Sequence, residues 1–341
     1  MVELEGRRRQ ILRVVIDDYI VTAEPVGSEA ARQRHGLDIS SATVRSEMAA
    51  LEELGYLQQP HHSAGRVPTD HGYRVYVDSL VTEEQVPPTE RLRIRRTLTA
   101  TEFDEAVEQA ARALAVITEC ASVATTPQLA QQVVRHLHLI PLGPRHAIAV
   151  IVTDAEVVEG KTVEFEQPIT SEECDRLSQE ISRRIAGRPL IDLTDRELAT
   201  VIGQAAHHQR VLDQIGRLLR ERFRRLPGRV RTEGQANILK QPEFQDARRA
   251  QPVLSALEQV EAVTALLGED GSTSREVRVR IGSENVLGEL RDCTVVTATY
   301  HVAGRAAGTI GVVGPTRMRY GRVIGLVRFL AESLGDTLEQ L

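Results

Sequence analysis

The stretch that most constrains this chain runs from residue 37 to residue 77, LDISSATVRSEMAALEELGYLQQPHHSAGRVPTDHGYRVYV. Ser40 and Ser41 place hydroxyls where the unpaired backbone N–H groups of a helix start need an acceptor. Val44, Met48 and Leu51 then recur at i, i+4 and i+7, which makes one buried stripe on a helix. The opposite face carries Ala42, Arg45, Ser46, Ala49 and Glu53. Small side chains let a helix lie close to another surface, and Arg45 and Ser46 near its N-terminal end reach donors and acceptors there. A helix seated in a DNA major groove needs this distribution. Gly55 supplies the residue that ends such a helix. Tyr56-Leu57-Gln58-Gln59 and Arg66-Val67 then read as two short strands, with Pro60, Ser63, Ala64 and Gly65 turning the chain between them. His61, His62 and Arg66 fall on that ribbon, where cations meet phosphate. The expected DNA contacts are therefore Ser41, Ala42, Thr43, Arg45, Ser46 and Ala49 on the helix, with His61, His62 and Arg66 on the ribbon.

Upstream, residues 7–20 read as a first helix with Ile11, Val14 and Val15 inside and Arg7, Arg8, Arg9 and Arg13 at a basic end. Ser28 caps a second helix that Gly36 ends. Helix, helix, short turn, helix, ribbon is the order of a winged helix-turn-helix. The competing reading is a small helical module that docks protein and touches no DNA. Acids slightly outnumber arginines in residues 1–80. A DNA-facing surface must therefore be local, with Arg45, Arg66 and the Arg7–Arg9 cluster on it and Asp17, Asp18 and Glu52 turned elsewhere.

A hydrophobic fraction of 41% supports real cores, and with aromatics at 3% and no Trp those cores must be aliphatic. The formal net charge of −6 argues against a general nucleic-acid coat but not against a specific binder with a local basic surface. Cys120, Cys174 and Cys293 are far apart and odd in number, which fits neither a disulfide framework nor a metal site and suits a reducing, cytoplasmic setting. MVELEGRRRQILRVVIDDYI has the pattern of neither a signal nor a transit peptide, and no stretch is apolar for long enough to span a membrane.

Residues 81–90, VTEEQVPPTE, read as an acidic, proline-containing linker. Residues 91–121 are expected to be helical, and VVRHLHLIPLG, HAIAVIVT and VVEGKTVEF to be three strands. Helix returns over 171–224, with Thr194 and Glu197 as a capping box. A further helix runs from about Asp246 to Leu267 around Pro252. VRVRIG and CTVVTATYHVAGRAAGTIGVVGP alternate as strands, and residues 320–338 close with a helix. Strands near 133–165 and 277–313 with helices between them suggest one α/β domain interrupted by a helical insertion. The fold class is thus α+β and multidomain: 1–80 winged helix, 81–90 linker, 91–165 and 256–341 the two parts of the α/β domain, 166–255 the insertion.

No enzyme chemistry emerges. His61-His62 lack a third metal ligand at suitable spacing, His136 and His138 share one strand face without a third, and His207-His208 point to different helix faces. Gly304, Gly308, Gly311 and Gly314 do not have phosphate-cradling spacing and read as strand turns and bulges. No catalytic residue, cofactor or metal is expected.

SSATVRSEMAALEELGYL followed by HHSAGRVPTDHGYRVYVDSL closely resembles the HrcA family of bacterial heat-inducible transcription repressors. GTIGVVGPTRMRYGRVIGLVRFLAESL at 308–334 is similar to that family's C-terminal signature, and GSENVLGELRDCTVVTATY at 282–300 is in its style. The resemblance implies an N-terminal winged helix, a GAF-like α/β domain and a dimerising domain inserted into it. It implies a homodimer that represses chaperone operons from double-stranded operator DNA, the inverted-repeat CIRCE element, with the chaperonin GroEL as modulator and release on heat stress. The Lys-poor, Arg-rich composition and the His61-His62 pair depart mildly from the family pattern. A second expectation stays open, a metabolite-responsive regulator with the GAF-like domain as pocket, for which Thr297, Thr299 and His301 are the polar candidates.

Overall fold

The computed structural model describes residues 6–61, 64–126, 133–153, 157–188, 230–267 and 276–340. The chain forms two compact units, Met1–Ala124 with Val230–Leu341, and Thr125–Arg229. It is a mixed α/β protein with more than one sheet.

The first unit begins with α1 (Gly6–Thr22), α2 (Ser28–Arg34) and α3 (Ser41–Glu53). Ile11, Leu12, Val15 and Ile16 of α1 are buried together with Val44, Met48 and Leu51 of α3, the stripe read from spacing. Gly27 rather than Ser28 occupies the cap of α2, and no side-chain hydroxyl closes that helix start. Strands β1 (Leu57–Gln58) and β2 (Val67–Pro68) pair antiparallel in the register Leu57↔Pro68 and Gln58↔Val67. Val26, just before α2, adds a third rung through its bridge to Arg66.

α4 (Asp70–Ser79) starts at Thr69, whose hydroxyl accepts from the Gly72 N–H at 3.1 Å. One side of α4 faces α1, where the Tyr76 hydroxyl donates to Asp17 at 2.5 Å. The other side meets the rest of the unit, with the Tyr73 ring 5.8 Å from that of Tyr320.

That remainder holds α5 (Pro88–Thr97), α6 (Phe103–Thr118), β3 (Ala121–Thr125), and, after the second unit, β7 (Val230–Glu233), α8 (Ala247–Glu258), α9 (Val260–Leu267), β8 (Arg278–Ile281), β9 (Cys293–Val302), β10 (Arg305–Pro315) and α10 (Tyr320–Glu339). Its sheet has the order β7-β3-β10-β9-β8. Alternation sorts the side chains to two faces. Val296, Ala298, Tyr300, Ile310 and Val312 pack with Leu114 of α6 and Leu326, Leu330 and Leu334 of α10. Val123, Val295 and Val313 pack with Val253 and Leu257 of α8 and Val263 and Leu266 of α9. The stretch expected to be helical over 91–121 is two helices, and the buried run Ala121–Ala124 belongs to a central strand.

Residues 81–87 do not form a free linker. The Glu84 N–H donates to Gly321 O at 3.0 Å, Arg328 pairs with Glu83 at 2.8 Å, and Val86 is buried. The close approach depends on two glycines of α10. A Cβ at Gly325 would fall 2.1 Å from Glu84 O, and one at Gly321 2.5 Å from Thr82 O.

The second unit is built on β4 (Val134–Gly143), β5 (His146–Thr153) and β6 (Val157–Glu164), an antiparallel sheet in that order, with α7 (Ser171–Ile185) against it. These strands do not join the sheet of residues 278–315, as the reading of one interrupted domain required. Alternation reports which residues face a core, not which strand lies alongside. The chain leaves the five-stranded sheet at Thr125 and re-enters it at Val230 on the neighbouring strand, so the break falls earlier than residue 166. Leu137, Leu139 and Ile151 of the sheet and Cys174, Leu177, Ile181 and Ile185 of α7 are buried, with α7 packed along β4. α7 opens with a Thr170/Glu173 capping box. Its Ser178 and Ser182 hydroxyls accept from the N–H groups of Leu139 and Leu137, each at 2.8 Å, which satisfies the open edge of β4. The helix expected from Thr194 to about Arg225 lies outside the described residues.

Candidate nucleic-acid interface

α3 owes its start to Ser40, whose Oγ accepts from the Thr43 N–H at 3.1 Å and lies 2.9 Å from the Thr43 hydroxyl. With Val44, Met48 and Leu51 turned inward, Ala42, Arg45 and Ser46 are exposed and Ala49 is half-buried on the outer face. Ser41 and Thr43 are half-buried. The Thr43 hydroxyl is engaged by the cap. Ser41 is directed to Glu29, whose carboxyl is held down to about 2 first by Arg32, then by Gln33 and to a smaller extent by Ser41. Arg45 makes no ion pair among the described residues, so its guanidinium projects from α3 with its donors available.

The ribbon sits beside this face. Arg66 exchanges both backbone hydrogen bonds with Val26, each 2.9 Å. Gly65 permits this, since a Cβ there would lie 2.3 Å from Val26 O. The ribbon turn is held by Ala64 N donating to His61 O at 2.8 Å and by the Gln59 amide donating to Ala64 O at 2.9 Å. His61 is exposed. His62 lies outside the described residues.

Arg66 is not the open cation expected from sequence. Its Nε lies 2.8 Å from Glu52 Oε2, and the two side chains are only 17% and 33% exposed. The Nε–H is not aligned as a hydrogen bond, so the contact is one of charge. Glu52 therefore faces the ribbon, against the expectation that it turns away. Sequence spacing offered no signal for this pair, because the contact depends on where the ribbon folds back.

The Arg7–Arg9 cluster is also partly engaged. Arg8 pairs with Glu47 of α3 at 3.0 Å, and Arg9 donates to Ser79 O, while Arg7 is exposed. Asp18 is buried and accepts from His35 at 2.9 Å and Arg34 at 3.3 Å.

Elsewhere, the three polar candidates for a small-molecule pocket do not all share one site. Thr297 is buried against Gly311, whereas Thr299 and His301 line a small groove of about 290 Å³ with Glu332, Asp336 and Glu339 of α10. The face of the sheet toward α8 and α9 is filled by Phe244, Val253, Leu257 and Leu290. His136 and His138 are exposed with ring centroids 6.1 Å apart. His207-His208 lie outside the described residues. Among the described residues no helix is long and apolar enough to cross a membrane.

Comparison with known proteins adds an independent finding. The family described as HrcA protein C terminal domain matches residues 104–324. The chain is 37% identical over 340 residues to the heat-inducible transcription repressor HrcA of Desulforudis audaxviator, covering 99% of each chain. It is 38% identical over 338 residues to the protein of the same name from Symbiobacterium thermophilum, covering 98% of each. A solved structure described as a hypothetical protein is similar in fold, with a TM-score of 0.63 at 22% identity over 99% of both chains.

Proposed function

The chain belongs to the HrcA family of heat-inducible transcription repressors, and from that premise we propose that its N-terminal part is a winged helix-turn-helix that reads operator DNA. α3 is the recognition helix and the β1–β2 ribbon is the wing. The observation that carries this reading is the outer face of α3, where Ala42, Ser46 and Ala49 give a flat approach and Arg45 projects without an ion pair among the described residues. A guanidinium so placed matches the paired O6 and N7 acceptors of guanine in the major groove.

The operator is an inverted repeat of the CIRCE type, and the protein binds it as a homodimer, since two-fold DNA calls for a two-fold protein. Residues 125–229 supply the dimer contact. Support comes from the sheet of that unit, whose face away from α7 pairs His138 with Val150 and Ile140 with Ile148 and leaves Ile140 49% and Leu142 57% exposed. The α/β remainder of the first unit is the GAF-like domain and acts as scaffold. The chaperonin GroEL favours the active repressor in the cytoplasm, and heat stress lowers repression by occupying the chaperonin.

The test is titration of purified protein onto an inverted-repeat duplex and onto single half-sites, with and without GroEL, alongside mass in solution. Tight binding to the full repeat by a dimer, strengthened by the chaperonin, is the expected result. Equal binding to scrambled duplex would remove the operator assignment.

A further inference from the structure

We propose that the groove between α5 and α6 is a docking site for an acidic amphipathic helix of a protein partner. The groove has a volume of about 760 Å³. Its floor is apolar, made by Ile94 of α5 and Ala113, Val116 and Ile117 of α6, and Arg93, Arg112 and Arg322 stand around it with a single acid, Glu90. α6 uses its other side, Ala106, Val107, Ala110, Ala111 and Leu114, for the core. Val116 lines the groove, points away from that core and is 68% exposed. Val116 extends the apolar floor of Ala113 and Ile117 out to solvent, where a partner's apolar side chains can cover it.

The charge around the groove identifies the partner's chemistry. α5 reads PTERLRIRRT, four arginines against one acid, in a chain whose net charge is −6. Arg91 and Arg95 stack over the Phe329 ring at 5.5 and 5.8 Å and fix α5 to α10. Arg93 and Arg96 have no ion pair among the described residues. Arg322 is paired with Glu90 at 2.9 Å and Arg112 with Glu108 at 2.7 Å, so these two orient the rim while Arg93 stays available. An occupant must therefore bring an apolar stripe for Ala113, Val116 and Ile117 and carboxylates for Arg93 and the rim. A helix with leucines at i, i+3, i+4 and i+7 flanked by glutamates meets both demands in the geometry that a trough between two helices accepts. Nucleic acid would satisfy the arginines and leave the apolar floor in contact with phosphate and water.

The test uses the full-length chain and a labelled synthetic peptide of about four helical turns, with that leucine spacing and flanking glutamates. Two control peptides replace the glutamates by lysines or place a proline in the middle. Fluorescence anisotropy should show saturable one-to-one binding of the acidic peptide and at least about tenfold weaker binding of both controls. Val116→Asp should weaken the acidic peptide by about tenfold or more and Arg93→Glu by a similar factor, each with an unchanged melting temperature because both residues are exposed. Equal binding of the acidic and basic peptides, or wild-type binding by both variants, would overturn the proposal. A change of oligomeric mass in Val116→Asp would assign the groove to a second copy of the chain. Loss of operator affinity in Arg93→Glu with peptide binding intact would assign it to DNA. Either of those last two results also overturns it.

Discussion

Arg66 on the β1–β2 ribbon and Glu52 on α3 face each other with Nε and Oε2 2.8 Å apart, so the cation we propose to grip phosphate is already beside a carboxylate. On that proposal DNA competes with Glu52 for the cation. Removing the acid should tighten binding to every operator sequence alike and steepen the salt dependence by about one unit per half-site. Arg66→Ala should do the opposite, weakening all sequences and reducing the slope by about one unit. Glu52→Gln should cost no more than about 1 kcal/mol of stability, as expected for a partly exposed pair. If Glu52→Gln weakens DNA binding instead, the pair is a strut that holds the wing against α3.

Arg45 should behave differently. It stands on the exposed face of α3 between Ala42 and Ala49, and its loss should cost about 1–3 kcal/mol per half-site and relax preference at one base pair. Titration against operators with single base changes reads this directly. A uniform loss across all variants would mean that α3 is positioned by backbone contacts alone.

Gly65 is the position at which the ribbon meets Val26. Gly65→Ala should break the Val26–Arg66 bridge, because the new Cβ would sit 2.3 Å from Val26 O. Two backbone hydrogen bonds and local displacement together predict a loss of about 2–3 kcal/mol in urea unfolding. Gly288→Ala, where a Cβ meets nothing within 4 Å, should stay within about 0.5 kcal/mol. A Gly65→Ala protein as stable as the parent would show that the bridge is dispensable.

Arg74 joins α4 to the scaffold through Glu284 and Val279 O, and pairs within the helix with Asp78. Burial alone would raise the Glu284 carboxyl, but hydrogen bonds from Arg74 and the Ile281 N–H outweigh it and hold it below its usual 4.5. A depressed acid contributes stability above the unfolded value and loses it as pH falls through the folded one. The melting temperature should therefore drop below about pH 4.5, and Arg74→Ala should flatten that drop while costing about 1.5–3 kcal/mol at neutral pH. Melting curves across pH 3–7 measure both, and an unchanged acid limb in the variant would dissociate Glu284 from it.

Cys120, Cys174 and Cys293 are buried. Burial pushes the Cys120 thiol up to about 11 and raises the other two as well. A raised thiol stays protonated at pH 8, so iodoacetamide should label the native protein slowly at all three positions. During heating, Cys174 reports on the second unit and Cys120 and Cys293 on the first. Unequal onset of labelling would identify which unit opens first, and rapid labelling of all three at 25 °C would contradict the burial.

Most helices and strands and the faces they bury were legible in the sequence because helix and strand periods are local, although the strand at Ala121–Thr125 was not. Val44, Met48 and Leu51 at helical spacing give the inner stripe of α3, and the remaining positions place Ala42, Arg45 and Ser46 outward without reference to any distant residue. The two signature segments carried the family. What the sequence left undecided depends on contacts between residues far apart in the chain. Arg74 meets Glu284 across 210 positions. Strand β3 lies beside β10, not in the sheet of β4, β5 and β6, since alternation marks a buried side without naming a neighbour. The acidic segment at 81–87 looks like a linker by composition and becomes a strap only where Gly321 and Gly325 of α10 leave room for its backbone. Arg66 looked like a free cation until the return of the β1–β2 ribbon brought it against Glu52, and an ion pair of that kind is a fact of distance, which only tertiary folding sets.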